Sequence, residues 1–168
     1  PICHTDELWI RNGTRINQGR KLLKSPGWFF VQSLQRCMIS PSSALVNRSL
    51  FDEVGLFDET FPYVEDYDLW LRITSRYPVG YVNEKLVVKT GGHPDQLSKR
   101  IDGIEKYRIA AIEKMLRSGK LSRDFFREAL RVYQHKANIY LNGCLKRGRA
   151  AEARQVRRKL EYYARMGS

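Results

Sequence analysis

Residues 57–72, FDETFPYVEDYDLWLR, place acidic side chains immediately before an apolar, aromatic segment. The carboxylates belong to Asp58, Glu59, Glu65, Asp66 and Asp68. Acidic residues at a helix start commonly serve only to interact with the partial positive charge of the N-terminus, which contributes about 0.3 to 1 kcal/mol each. A positioned carboxylate also accepts protons from substrate hydroxyls, which accelerates reactions by about two to four powers of ten. The elements around the segment bear on the choice between these two interpretations.

The elements upstream of this segment are predicted to be short. Residues 2–10 favour a strand that ends in a loop at Asn12-Gly13, and VQSLQRCMI (31–39) favours a short helix. SSALVNR (42–48) is β-like, and RSLFDEVG (48–55) predicts a short helix with a glycine stop. The acidic segment therefore follows a strand and a helix directly.

Downstream, the spacing of apolar residues is first that of a helix and then that of a strand. Leu69, Trp70, Ile73 and Tyr77 recur at three and four residues, which predicts an amphipathic helix that ends before Pro78 and has Glu65 and Asp66 in its first turn. GYVNEKLVVKT (80–90) alternates and predicts one or two short strands around a turn at Asn83-Glu84. GGHPDQLS (91–98) is a predicted loop.

Size and composition are those of a folded, single-domain-sized chain. With 168 residues and 42% hydrophobic content, it can build a core without disulfides. The cysteines Cys3, Cys37 and Cys144 are odd in number and lack CxxC spacing, which favours reduced thiols in a cytosolic protein. We find no run of about 18 apolar residues and no signal-peptide pattern. Because the chain starts with proline, we expect a fragment of a longer protein.

The basic charge is concentrated in the C-terminal part. Residues 1–100 carry 13 Lys and Arg against 11 Asp and Glu, whereas residues 101–168 carry 17 against 7. The second part has the pattern of long helices, with Ser122 as an N-cap and a turn at Gly148, and so predicts a helical hairpin. Its basic side chains fit an anionic membrane surface, nucleic acid or simply a solvated helical face.

Residues 2–100 resemble a known family. The stretch ISPSSALVNRSLFDEVGLFDETFPYVEDYDLWLRI, together with GGHPDQLS, is similar to the C-terminal half of the catalytic domain of inverting family 2 glycosyltransferases, which have the GT-A fold. The resemblance implies an α/β fold, α+β as a fragment, in which residues 1–100 form the acceptor-side half of a GT-A domain. Residues 101–168 would then be a basic helical extension.

The resemblance also implies roles for individual residues. Asp66 would be the general base that takes a proton from the acceptor hydroxyl, and Glu65 would hydrogen-bond an acceptor hydroxyl or orient the loop. Asp6 and Glu7 would contact the acceptor. Trp70 is interpreted either as core or as a surface on which a sugar stacks, and its helical stripe favours the core. His4 and His135 are interpreted as structural.

Asp66-Tyr67-Asp68 spells the DxD sequence with which such enzymes bind a divalent cation, but side chains two apart on a helix diverge. We therefore expect the metal-binding DxD, for Mn or Mg, and the nucleotide-binding half to lie upstream of residue 1. The isolated chain is expected to be inactive. The loop residues His93, Gln96 and Ser98 would face the donor diphosphate, with His93 as a candidate metal ligand. The alternative is a loop whose Asp95 or Ser98 caps a helix.

The implied partners are a nucleotide-sugar donor and a saccharide or lipid-linked acceptor, in the cytoplasm. The helices of the basic tail are expected to pad the catalytic domain, with pairing to another subunit and contact with a membrane surface as alternatives. The competing function is a basic helical module that binds nucleic acid or other anions. That alternative is less favoured because it leaves the acidic segment and the GGH loop unexplained.

Overall fold

The computed structural model describes residues 1–17, 19, 23–92 and 103–166. The chain forms two compact units, one made of Pro1–Thr60 with Glu65–Asp102 and the other of Phe61–Val64 with Gly103–Ser168. The first unit contains a small sheet and short helices, and the second contains long helices. This mixture of helix and sheet confirms the predicted α/β or α+β class.

The sheet of the first unit is built around one central strand. Strand β1 (Ile2–Arg11) pairs in parallel along its length with β4 (Gly80–Gly91). It also pairs antiparallel with β3 (Ala44–Val46) near its start and with β2 (Thr14–Ile16) near its end. Because β4 runs along one edge of β1, the two short strands share its other edge.

The turn between β1 and β2 follows from its sequence. Asn12 and Gly13 both have positive φ, 50° and 77°, and Arg11 pairs with Thr14. Two central residues with positive φ define the type I′ turn, whose twist matches that of paired strands and which Asn-Gly strongly favours. The predicted loop at Asn12-Gly13 is thus a two-residue hairpin turn.

The prediction of a turn at Asn83-Glu84 is wrong, because β4 continues through these residues as one strand. Thr5 pairs with Val82 but Asp6 pairs with Lys85, so the register shifts at this point. Asn83 and Glu84 are two extra residues of β4 between these pairs, and such extra residues form a bulge, which bends the strand without ending it. The polar pair Asn83-Glu84 therefore marks an irregularity in the ladder.

Short helices pack on this sheet and supply half of the core residues given below. They are α1 (Phe30–Gln35), a 3₁₀ turn (Pro41–Ser43), α2 (Ser49–Val54) and α3 (Glu65–Thr74). Gly55 ends α2 with φ 83°, as its glycine stop predicts. The core consists of apolar side chains from strands, helices and the connections between them: Ile2, Phe29, Ile39, Leu50, Leu69, Trp70, Ile73 and Val79.

The second unit consists of α4 (Ile104–Arg117), α5 (Arg123–Lys146) and α6 (Ala150–Ala164). Ser122 caps α5 by accepting a hydrogen bond from the Phe125 backbone N–H at 3.2 Å, as predicted. The short segment Phe61–Val64 packs here as well: the ring of Tyr63 lies 5.7 Å from that of Tyr107. Within the described part of the chain, none of the helices could span a bilayer.

Candidate active site

Asp66 lies in the first turn of α3, partly exposed, and its carboxylate is held from two sides. Oδ1 accepts a hydrogen bond from the Tyr67 backbone N–H at 2.6 Å. Oδ2 lies 3.4 Å from the thiol of Cys37, which is also 3.2 Å from the Ile39 carbonyl oxygen. These contacts restrict the rotation of the carboxylate, which is a requirement for a positioned proton acceptor.

The backbone just before α3 is strained. Val64 is buried and has φ 64°, a region that β-branched residues adopt only as outliers. Such residues cost about 1 to 3 kcal/mol and persist where the surrounding structure enforces them, often at functional sites. Glu65 follows directly and is exposed to solvent. The sharp entry into α3 thus presents Glu65 and Asp66 at the surface of the first unit.

Asp68 has a different environment from Asp66. It is fully buried and forms an ion pair with Arg72 at 2.8 Å. Arg72 in turn donates to the carbonyl oxygens of Val54, Gly55 and Leu56 at the end of α2. Asp68 therefore orients an arginine that satisfies the free carbonyls of a helix C-terminus. This supports the prediction that Asp66-Tyr67-Asp68 is not a metal-binding DxD.

Trp70 lies inside the core of the first unit with 3% of its surface exposed. A sugar stacks on an aromatic ring only when the ring face is accessible, so the structure favours the core interpretation of Trp70 over an acceptor-stacking surface. The indole Nε1 has no hydrogen-bond partner among the described residues. Trp70 supports the site by fixing α3 against the core.

Glu7 forms a buried ion pair with Lys24 at 3.0 Å, with exposed side-chain fractions of 1% and 5%. Glu7 also accepts a hydrogen bond from the Trp9 indole at 2.8 Å. Burial alone raises the pKa of Glu7, but hydrogen bonds from Ser40, Lys24 and Trp9 outweigh it and lower the pKa to about 2. This carboxylate is committed to protein partners, which favours a structural role over the expected acceptor contact.

Asp6 lies on the wall of a cavity of about 570 Å³. The cavity also carries the aromatic rings of Trp9 and Tyr81 and the polar side chains of Arg15 and Asn83. Aromatic faces combined with planar polar groups are the usual means of binding a sugar, so the expectation for Asp6 stays compatible with its position. Neither Glu65 nor Asp66 lines this cavity or a second one near α1.

The remaining candidates concern metal and donor binding. His93, Gln96 and Ser98 lie outside the described residues. Among the residues that are described, no group of three or more His, Cys, Asp or Glu side chains could hold a metal ion. The described residues therefore do not fit a divalent cation.

The chain is similar to rickettsial glycosyltransferases. It is 37% identical to an uncharacterized glycosyltransferase of Rickettsia felis over 68 residues, which are 40% of this chain and 11% of that protein. An uncharacterized glycosyltransferase of Rickettsia bellii is 40% identical over 68 residues, 40% of this chain and 10% of the relative. One of Rickettsia typhi is 31% identical over 75 residues, 44% of this chain and 23% of the relative.

The chain thus spans only a small part of these relatives, 11% of the R. felis protein. No protein-family model matches the chain. No solved structure matches it either. These relatives are named as uncharacterized glycosyltransferases, and the chain matches one section of each.

Three residues near the site were missed or set aside by the sequence analysis. Cys37 contacts Asp66, and Lys24 pairs with Glu7 and donates to the Thr5 carbonyl oxygen at 2.8 Å. His4, interpreted as structural, lines the second cavity. A lone cysteine and one lysine in a basic segment carry no local signal, because their partners are distant in sequence.

Proposed function

We propose that the chain is the acceptor side of a glycosyltransferase that moves a sugar from a nucleotide-sugar donor to an acceptor hydroxyl with inversion. Asp66 takes the proton of the hydroxyl as the oxygen attacks the anomeric carbon of the donor. The bond from that carbon to the nucleoside diphosphate breaks, and the diphosphate leaves with the bonding electrons. Glu65 hydrogen-bonds the acceptor. A single displacement from the opposite face inverts the configuration.

The main support is the setting of Asp66 in the first turn of α3. A sugar hydroxyl is a weak nucleophile, so its proton acceptor must be accessible and fixed in direction. Asp66 is partly exposed and is held by the Tyr67 N–H and the Cys37 thiol, whereas its neighbour Asp68 is buried against Arg72. Of these two aspartates, Asp66 alone has surface available to a substrate. The names of the relatives agree with this reaction class.

The donor half of the site is proposed to lie in residues that precede this chain in a longer protein. A Mn or Mg ion there would neutralise charge on the departing diphosphate. The described residues of this chain offer no group of three or more His, Cys, Asp or Glu side chains for such an ion. We propose the loop of His93, Gln96 and Ser98 as a further diphosphate-side element and the isolated chain as inactive. The cytoplasm is the proposed location.

The test requires the longer protein, a panel of UDP-, GDP- and dTDP-sugars, and Mn or Mg. Transfer is measured as release of nucleoside diphosphate, and the product configuration is read by NMR. We expect Asp66→Asn to lower kcat by about two to four powers of ten, because the amide cannot accept the proton. Donor affinity should stay unchanged.

The matched control is Glu59→Gln, an exposed acidic residue seven positions earlier, which should retain full activity. Glu65→Gln should chiefly raise the KM for the acceptor. Transfer at the original rate by the Asp66→Asn protein would remove Asp66 from the role of base. A product with retained configuration would exclude the single displacement.

A second candidate function is supported by the exposed arginines Arg154, Arg157 and Arg158 on α6. We see no ion pair to them among the described residues, and they lie close together along one helix. We propose that this face contacts an anionic membrane that holds a lipid-linked acceptor, each basic residue contributing about 1 kcal/mol.

Sedimentation with vesicles that contain phosphatidylserine tests this surface. Replacement of the three arginines by glutamine should abolish co-sedimentation, while the same change at Arg127 and Arg131, which are paired on α5, should have little effect. Tighter binding to duplex DNA than to the vesicles, with a steep dependence on salt, would favour the nucleic-acid alternative instead.

A further inference from the structure

The second cavity of the sheet-bearing unit has no role in the function proposed above. It has a volume of about 350 Å³, within the range of small-molecule pockets, and is lined by residues of β1, the segment after residue 22 and α1. Neither Asp66 nor Asp6 lines it. It is therefore a separate feature of the unit.

One wall of this cavity is the imidazole of His4, which is 1% exposed. Its ring is held by aromatic neighbours, with centroids 5.8 Å from Phe29 and 5.4 Å from Tyr81. Neither Nδ1 nor Nε2 has a hydrogen-bond partner of ordinary geometry in the described residues. Buried polar groups are nearly always paired, and the Ser25 backbone can serve at most one ring nitrogen, so the other nitrogen of this oriented imidazole calls for a partner inside the cavity.

Burial, followed by the charge of Lys24, lowers the pKa of His4 to about 4, while the Ser25 backbone and the carboxylates of Glu7 and Asp6 act in the opposite direction. At neutral pH the ring thus has one N–H donor and one lone pair. A hydroxyl group can pair with either kind of nitrogen, since its oxygen both accepts and donates.

The other walls combine the apolar side chains of Leu23, Phe29 and Met38 with polar and positively charged groups. Gln32 and Gln35, three residues apart on one face of α1, contribute amides, and Ser25 contributes a hydroxyl. Arg36 and Lys24 contribute positive charge, and each also interacts with another residue of the chain. Among the residues that line the cavity, none carries a carboxylate. The guanidinium of Arg36 is the group suited to a carboxylate or phosphate.

We propose that this cavity binds a carbohydrate that carries an oxyanion, with a sugar hydroxyl on His4, other hydroxyls on Gln32 and Gln35, and the carboxylate or phosphate on Arg36. A uronic acid and a sugar phosphate share this chemistry. The proposal does not depend on transferase activity, because binding is measured directly on the chain. The cavity would then recognise a charged sugar away from the proposed base.

The test is an NMR titration of the full 168-residue chain, with the imidazole resonances of His4 as the readout. The probes glucuronate and glucose 6-phosphate distinguish a carboxylate from a phosphate as the anion. Glucose carries only the sugar hydroxyls, and inorganic phosphate carries only the oxyanion. We expect at least one anionic sugar to shift the His4 resonances. It should bind about tenfold or more tightly than glucose or inorganic phosphate, a difference of about 1.4 kcal/mol.

Arg36→Gln should weaken binding of the anionic sugar to the level of glucose, and Arg48→Gln, at an exposed arginine of the same unit, should leave it unchanged. Gln35→Ala provides a second variant, which leaves the Arg36 charge and the buried His4 ring in place. It should weaken the binding of glucose and of the anionic sugar alike. The proposal is overturned if no probe shifts His4, if glucose binds as tightly as the anionic sugars, or if the Arg36 variant binds like the parent chain.

Discussion

The two units of the chain place their charges in opposite ways. In the sheet-bearing unit the ion pairs Lys24–Glu7 and Arg72–Asp68 are buried, with exposed fractions of 5% and 1% and of 14% and 0%. In the helical unit, pairs such as Arg131–Glu128 join side chains that are 62% and 39% exposed. Buried ion pairs therefore fix the backbone of the first unit, whereas pairs such as Arg131–Glu128 and Arg127–Asp124 in the second are exposed to solvent.

This contrast has an energetic meaning. Removal of one partner from a buried ion pair leaves an uncompensated charge and typically costs about 3 to 5 kcal/mol, whereas an exposed pair contributes about 0 to 1 kcal/mol. All three tryptophans, Trp9, Trp28 and Trp70, belong to the sheet-bearing unit, so their fluorescence reports its unfolding alone. The two units can be compared within one chain.

The largest effect is expected from Lys24→Met. The substitution leaves Glu7 buried without its cation and removes the hydrogen bonds to the Thr5 carbonyl and Ser43. We expect a loss of about 3 to 5 kcal/mol in the free energy of unfolding, measured by urea titration with tryptophan fluorescence. Adding Glu7→Gln should recover part of the loss. If Lys24→Met alone had the same free energy of unfolding as the parent chain, the Lys24–Glu7 ion pair could not be buried.

The next effect concerns pH and His4. Because its pKa is about 4 in the folded state, against 6.5 for an unperturbed histidine, the unfolded chain binds more protons between these values. The contribution of His4 to the free energy of unfolding is fully present above pH 6.5. It is lost as the pH decreases toward 4, by about 3 kcal/mol at most. His4→Gln should flatten this slope, most clearly above about pH 5.5, where ordinary carboxylates are already ionised. His135→Gln, at an exposed site on α5, serves as the control and should keep the parent slope.

A smaller effect is expected at the contact between Cys37 and Asp66. In a double-mutant cycle of Cys37→Ala and Asp66→Ala, the coupling free energy should be about 0.5 to 1.5 kcal/mol, the usual net contribution of a hydrogen bond. Urea unfolding followed by tryptophan fluorescence provides the four values. Strictly additive losses would show that the thiol does not hold the carboxylate.

The smallest effect should come from Arg131→Ala on α5. Its pair with Glu128 is exposed and local, so we expect a change of at most about 0.5 kcal/mol in unfolding followed by far-ultraviolet circular dichroism. Added salt should reduce even this difference. A loss as large as that of Lys24→Met would remove the contrast between the two units.

The features that were predicted correctly from the sequence depend on local physics. The Asn12-Gly13 turn, the Gly55 stop and the Ser122 cap each involve neighbouring residues whose conformational preferences or hydrogen bonds act within one turn. The start of α3 at Glu65 agrees with its apolar period. Such signals are readable without knowledge of the fold.

The features that were not predicted depend on contacts between distant residues. The bulge in β4 exists because β1 runs beside it, and the pairing of Cys37 with Asp66 joins residues 29 positions apart. The burial of Glu7 likewise requires Lys24 from a separate segment. No window of sequence around any one of these residues contains its partner, so their roles emerge only from the three-dimensional arrangement.

Phe61–Val64 sets a practical limit on dissection of the chain. This tetrapeptide packs with the C-terminal helices, where Lys114 lies 5.5 Å above the ring of Phe61, yet one peptide bond joins Val64 to Glu65. A protein shortened after β4 would leave the rings of Phe61 and Tyr63 without the helical neighbours Lys114 and Tyr107. Expression of residues 1–100 by themselves would thus alter the segment that precedes α3 in the chain, even though Asp66 and Glu65 would still be present.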